Sequence, residues 1–297
     1  MPYFPNIAPP LQIPMPGSHI PRKRLLHFLG GLIVSLFGFQ GYGAAIDHAK
    51  ITEVVNDVTV LDPQSRVSVP AKSNDLFRVP EIMKTGAESR AEMVAEDQTI
   101  TRVGADTLFS FEPRERTINL RQGSILFQSP GGMGGGTIRT AFATASVLGT
   151  TIIVVATRDG GFKLLVLEGT GEVRMPNGTR RIVHGGQMVV IPPGAHEPGP
   201  VLDFVLDAEV HTARLVLGFK RRLPTLNKIR KQISQQNQEI AAGELQVASL
   251  VLENGKEQAV AVSNVQAPTV VRGNDIDPNI RINEIQSLHG HLVLHER

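Results

Sequence analysis

The 297-residue chain is 41% hydrophobic, enough for a packed core, and its length suits one ordinary domain with extensions. Its formal charge of +2 comes from the first 45 residues, which hold Arg22, Lys23 and Arg24 and no acid; the remainder carries 27 basic and 28 acidic residues, so the overall balance makes no case for nucleic acid. There is no cysteine, which excludes a disulfide framework and a lipid anchor on a cysteine.

Residues 1–20 are proline-rich and without pattern. Pro21 to Arg24 is then a basic n-region, Leu25 to Phe39 an apolar h-region, and Gly41-Tyr42-Gly43-Ala44-Ala45 a run of small residues. That is the order of a secretory signal peptide, with cleavage expected after Ala45 or, alternatively, after Gly43. The apolar run is short for a bilayer span, so a membrane contact is expected only if the signal is retained as an anchor. Met15 is an alternative start.

Short runs rich in Val, Ile and Thr, punctuated by Gly, Pro, Asn and Asp, read as strands. Ile51–Val55, Val58–Leu61 and Arg66–Val69 come first, Lys72–Pro80 reads as a connection, and Glu92–Ala95, Thr99–Val103 and Thr107–Phe111 follow. The Gly131–Gly136 run lacks the Lys and Ser/Thr of a phosphate loop, and no helix pattern follows it, so it reads as a loop between strands.

The centre of the chain is Thr140 to Pro193. Ile152–Val155 and Leu164–Leu167 are apolar at every position, which predicts strands covered on both faces. Glu172-Val173-Arg174-Met175 alternates, as a strand with one face in water does. A weak repeat runs through this part. Leu120/Gly123/Pro130, Val166/Gly169/Pro176 and Val183/Gly186/Pro193 share one spacing, an apolar strand end, a glycine turn and a stopping proline.

After Pro200 the pattern turns helical. Val201–Leu245 reads as two helices docking on the β domain or a partner, the first with Asp203 as N-cap and the second opened by Pro224 with Leu226, Ile229, Ile233 and Ile240 on one side. Between His211 and Gln238 stand seven Lys or Arg and no acid. Lys220, Arg221, Arg222, Lys228, Arg230 and Lys231 are therefore the candidate partner-binding residues. Residues 246–297 are polar and read as loose structure.

No catalytic set emerges. Ser146 lacks the glycine flanks of a nucleophile elbow, and Glu168, the best-placed acid, sits at a strand end. His289, His291 and His295 lack a completing ligand pattern; Asp275, Asp277 and Asn279 start like a calcium loop, but Ile280 and Gln286 replace its glycine and glutamate. No metal, cofactor or enzyme activity is expected.

Thr137-Ile138-Arg139-Thr140 with Ala143 to Thr150 resembles the core of the FecR domain, the periplasmic domain of ferric-citrate-type regulators. The apolar strand after Gly149-Thr150, the turn at Gly160-Gly161, Leu167-Glu168-Gly169, the Gly185-Gly186-Gln187 turn and the Leu120–Phe127 strand extend the resemblance over about residues 74–193. It implies an all-β fold; with the repeat, the expectation is stacked short strands forming a β-roll or solenoid-like sandwich, and the pattern after Pro200 adds a C-terminal pair of α-helices. The expected organisation is a signal peptide with extension (1–45), a FecR-like domain (46–200) that folds alone, a helical extension (201–245) and a polar tail (246–297).

Family members work beside outer-membrane transporters and relay a signal to a sigma factor through a cytoplasmic N-terminal domain. Only residues 1–21 precede Arg22, so this chain resembles a FecR protein without that anti-sigma part. The expected function is a non-enzymatic binding or signal-relay module of the bacterial envelope, periplasmic or exported, that recognises a protein. The alternative is a structural or adhesive protein that binds an anionic polysaccharide.

Overall fold

A computed structural model describes residues 45–245, 247–253, 256–262 and 269–270. Two sheets share the chain almost equally: one is covered by helices on its outer side, and the other faces water. In order, β1 (His48–Val55) is in the helix-side sheet, β2 (Val58–Leu61) and β3 (Ser68–Pro70) are in the solvent-side sheet, and β4 (Leu76–Arg78) is back in the first. Next, β5 (Ile82–Thr85) is on the solvent side, β6 (Arg90–Val94) and β7 (Ile100–Val103) form a helix-side hairpin, and β8 (Leu108–Phe111) returns.

The long β9 (Thr117–Gln128) belongs to both sheets. Then β10 (Gly136–Arg139) and β11 (Thr144–Val147) lie on the solvent side, β12 (Thr151–Ala156) and β13 (Phe162–Glu168) on the helix side. Finally β14 (Thr170–Arg174) and β15 (Arg180–His184) are on the solvent side, β16 (Gln187–Ile191) and β17 (Leu202–Asp203) on the helix side.

The helix-side order is β4-β1-β6-β7-β9-β12-β13-β16-β17, and the solvent-side order is β3-β2-β5-β8-β9-β10-β11-β14-β15. All pairings are antiparallel except β9 with β10. The sheets do not close on each other. This is the expected roll of stacked short strands, most of them in hairpins.

The three-fold sequence repeat marks crossings between the sheets. Gly123, Gly169 and Gly186 all have positive φ, at 95°, 85° and 84°. Each stands where the chain leaves one sheet for the other, and each proline follows the end of the next strand. At Gly123 the need for glycine is strict, because a Cβ there would lie 2.4 Å from the Thr107 Cα, in addition to the strain of the left-handed backbone. Asn56, Glu88 and Asp106, also at positive φ, serve other crossings without glycine.

Residues pointing between the sheets form the main core. Ile125, Val154, Leu164 and Val189 lie in one register row across β9, β12, β13 and β16, and all four are fully buried. Phe77, Phe109 and Phe111 fill one end, with ring centroids 5.2–5.8 Å apart. The outer side of the solvent-side sheet alternates in the opposite sense and presents Lys84, Arg139, Arg174 and His184 to water. Val173 is buried, as the alternation of its strand predicts. A segment read as connection, Lys72–Pro80, also contributes β4 at an edge.

The other faces of β12 and β13 explain why these strands are apolar throughout. Leu126, Ile153, Val155, Leu165 and Leu167 form a second core with the helical layer. That layer consists of α1 (Leu206–Thr212), a single turn α2 (Arg214–Leu217) and α3 (Leu226–Ala241). Thus the C-terminal helix pair is α1 and α3, with a short helical turn between them. Ile229 and Ile233 anchor α3, and Gly243 at φ 74° follows its end. Each buried aliphatic side chain here is worth about 1.5–3 kcal/mol relative to exposure. Residues 46–200 alone would leave this face uncovered.

Asp203 is not the N-cap of the first helix. It lies in β17, where its Oδ1 accepts from Gln187 Nε2 at 3.1 Å, and α1 begins three residues later behind Val205. Gln236 of α3 serves α1 instead, accepting from the Leu206 amide at 3.0 Å. Beyond α3, β18 (Val247–Glu253), β19 (Lys256–Val262) and β20 (Thr269–Val270) form a separate antiparallel sheet where the sequence pattern suggests loose structure. The signal-peptide features before Ala45, the three C-terminal histidines and the Asp275 to Gln286 stretch lie outside the described residues.

Candidate functional site: a helical layer fastened by a buried ion pair

Glu92 of β6 and Arg102 of β7 stand directly opposite each other in their hairpin. Both point out of the sandwich toward the helical layer, and both are buried, at 1% and 0% exposure. Arg102 Nε meets Glu92 Oε2 at 2.9 Å. The other guanidinium nitrogens turn to the helical layer. Nη1 donates to the carbonyls of Leu215 at 3.0 Å and Val216 at 2.8 Å, and Nη2 donates to that of Arg221. The carbonyls of Leu215 and Val216 are ones that the short helix leaves without internal donors, and a cation is a suitable partner for them.

The Phe219 ring lies 4.6 Å from the Arg102 guanidinium and completes the enclosure. Burial lowers the Arg102 pKa, and the charge and hydrogen bond of Glu92 oppose that shift. Further ties surround the pair. Arg90 Nε donates to Gly218 O at 2.7 Å, Thr52 Oγ1 donates to Glu92 Oε1 at 2.7 Å, and Glu53 accepts from the Lys220 amide at 2.9 Å.

A second fastening lies under the start of α3. Glu168, at the end of β13, is 5% exposed and accepts from Thr151 Oγ1 at 2.9 Å; the same hydroxyl lies 2.7 Å from that of Thr225. Burial raises the Glu168 pKa, while the Thr151 bond and the Lys228 charge lower it. A carboxyl with a raised folded pKa holds its proton more tightly in the folded state. Its contribution is therefore fully present below the unfolded pKa and is lost as pH rises through the folded pKa. Glu168→Gln keeps the acceptor for Thr151 and removes that loss. The variant should gain melting temperature over the wild type at about pH 8 but not at about pH 4, below the ordinary glutamate value. Equal differences at both pH values would contradict this.

The structure divides the six basic candidates between two settings. Lys220, Arg221 and Arg222 follow α2, where Arg221 Nε lies 3.4 Å from the buried Glu92 Oε1 and belongs in part to the fastening. Lys228, Arg230 and Lys231 are exposed on α3. Arg230 and Lys231 make no ion pair with a described residue, and the Lys228 charge acts on Glu168.

Sequence reading missed Arg102, Glu92 and Phe219. The available signal was a pair of opposite charges inside two strand runs, Glu92 among Ala91, Met93 and Val94 and Arg102 between Thr101 and Val103. Among the described residues no group of His, Cys, Asp and Glu is placed to hold a metal ion, and no helix is long and apolar enough to cross a membrane.

Two crystal structures of a candidate anti-sigma factor from Parabacteroides distasonis are similar to this chain, each at 19% identity and a TM-score of 0.40. The match covers 46% of this chain and 64% of the first structure, and 52% and 75% for the second. This chain thus spans less than two thirds of the first. No curated protein matches it. The family model described as FecR protein matches residues 81–172, which run from the start of β5 into β14 and include both Glu92 and Arg102. Residues 81–172 are therefore similar to the FecR protein family, and a buried ion pair joins the helical layer to this region.

Proposed function

We propose that the chain is a non-enzymatic signal-relay module of the bacterial cell envelope, periplasmic or exported, that recognises a protein partner through its helical layer. The observation that carries this reading is the basic surface of α3, where Arg230 and Lys231 make no ion pair with a described residue, on a layer otherwise locked to the FecR-like domain. A charged surface of one sign, rigidly held, provides steering and specificity toward an acidic partner. The FecR-domain match supports a relay role, since resemblance to that family implies signalling and not catalysis.

The test is affinity capture by the full chain from the envelope of its own source, beside Arg230→Glu/Lys231→Glu. Unlike Arg221 and Lys228, these two residues are not tied to a buried acid, so the variant should keep its circular dichroism spectrum. The reading expects a protein whose retention falls about tenfold or more in the variant and weakens with added salt. Retention unchanged by the reversal would remove α3 as the recognition surface. Capture of an anionic polysaccharide in place of a protein would establish the adhesive role instead.

A further inference from the structure

Beside α1 and α2, on the outer face of the helix-side sheet, lies a cleft of about 550 Å³. Small-molecule sites run to roughly 300–1,000 Å³. The floor is apolar, from Ile153 and Val155 of β12 and Leu165 of β13. Four cations line it from four elements: Arg90 of β6, Arg158 of the β12–β13 turn, Lys163 of β13 and Arg214 of α2. Four acids line it as well: Glu88 and Asp106 in the turns flanking the β6–β7 hairpin, Asp159 in the β12–β13 turn, and Glu209 of α1. The lining is neutral in sum but offers both signs within one small volume.

Some of these groups are already engaged. Arg90 donates to Gly218 O, Arg158 Nε donates to Gln122 Oε1 at 2.6 Å, and Asp159 accepts from Thr157. Glu209 and Arg214 differ. Both are half-buried, both stand on the helical wall, and neither side chain has a hydrogen bond or ion pair with a described residue. A charge withdrawn from water without a counter-charge is unfavourable, so a ligand that brings both missing charges gains from each.

We infer that this cleft binds a zwitterionic amino compound, a free amino acid or short peptide. Its carboxylate meets Arg214, its ammonium meets Glu209, and its apolar side chain covers Ile153, Val155 and Leu165. A ligand of single charge matches only one of the two groups, and an uncharged ligand neither. Because the ligand touches the helical wall and the sheet floor together, its binding strengthens the docking that Arg102 provides through the Leu215 carbonyl.

The test uses the full chain and the dipeptide Leu-Leu, with its N-acetyl and C-amide forms, in titration calorimetry and thermal melting. Leu-Leu should bind saturably and raise the melting temperature, and each capped form should bind about tenfold more weakly or worse. Glu209→Gln should abolish the penalty for N-acetylation, and Arg214→Gln the penalty for amidation, with the ligand-free variants melting no lower than the wild type. No heat and no melting shift at millimolar Leu-Leu would overturn the site, and so would capped peptides that bind as well as the parent. The inference stands apart from the partner reading: a chain that captures no protein but binds Leu-Leu in this way fails only the latter.

Discussion

Arg102→Met is expected to cost the fold about 3–5 kcal/mol, the usual penalty for breaking a buried ion pair from one side. Met has a comparable apolar reach, so the loss is mainly electrostatic. Glu92, at 1% exposure, keeps Thr52 and the more distant Arg221 but loses its closest cation. The carbonyls of Leu215, Val216 and Arg221 lose a donor at the same time. Urea unfolding followed by circular dichroism measures the effect. Glu92→Leu added to Arg102→Met should recover part of it, since no buried charge then remains. Recovery stays incomplete, because the three carbonyls are still unmet. A single variant with the wild-type midpoint would show that the helical layer is not held by this pair.

Val154→Asp is expected to destabilise by more than about 4 kcal/mol, enough to leave the domain unfolded at ambient temperature. Val154 is fully buried between Ile125 and Leu164 of the neighbouring strands, with no cation in that row. The aspartate must either carry its charge into the core or take up a proton. Leu148→Asp is the control, since Leu148 is 71% exposed in the turn before β12 and should melt like the wild type. Wild-type melting of Val154→Asp would contradict a strand buried on both faces.

The elements that were legible in the sequence have a single physical reading. Ile152–Val155 is apolar at every position, and that pattern requires cover on two sides, which the opposite sheet and the helices supply. The glycines of the repeat carry a backbone requirement that few other residues meet, so the crossings at 123, 169 and 186 show through. Other stretches have two readings. Leu202, Phe204 and Leu206 alternate like a strand, while Leu206 and Val210 recur like a helix, and the chain does both in turn. The three residues of β4 are too few to set a period.

The fastening is harder to read, because a buried ion pair depends on register. Only the β6–β7 turn places Glu92 opposite Arg102, and only the fold brings the carbonyls in and after α2 above them, more than a hundred positions away in sequence. The basic residues between Lys220 and Lys231 look alike in sequence. In space Arg221 meets a buried acid and Arg230 does not. Charge counting cannot make that distinction, because it sees neither burial nor partner.

Recognition is proposed to occur on the helical layer and not on the opposite sheet. Photo-crosslinking in the intact envelope tests it most directly, with a benzophenone side chain placed either at Arg230 on α3 or at Lys84 on the solvent-side sheet, both exposed positions. The expected result is a defined protein adduct from position 230 and none from position 84. An adduct from position 84 alone, or the same adduct in equal yield from both, would contradict it.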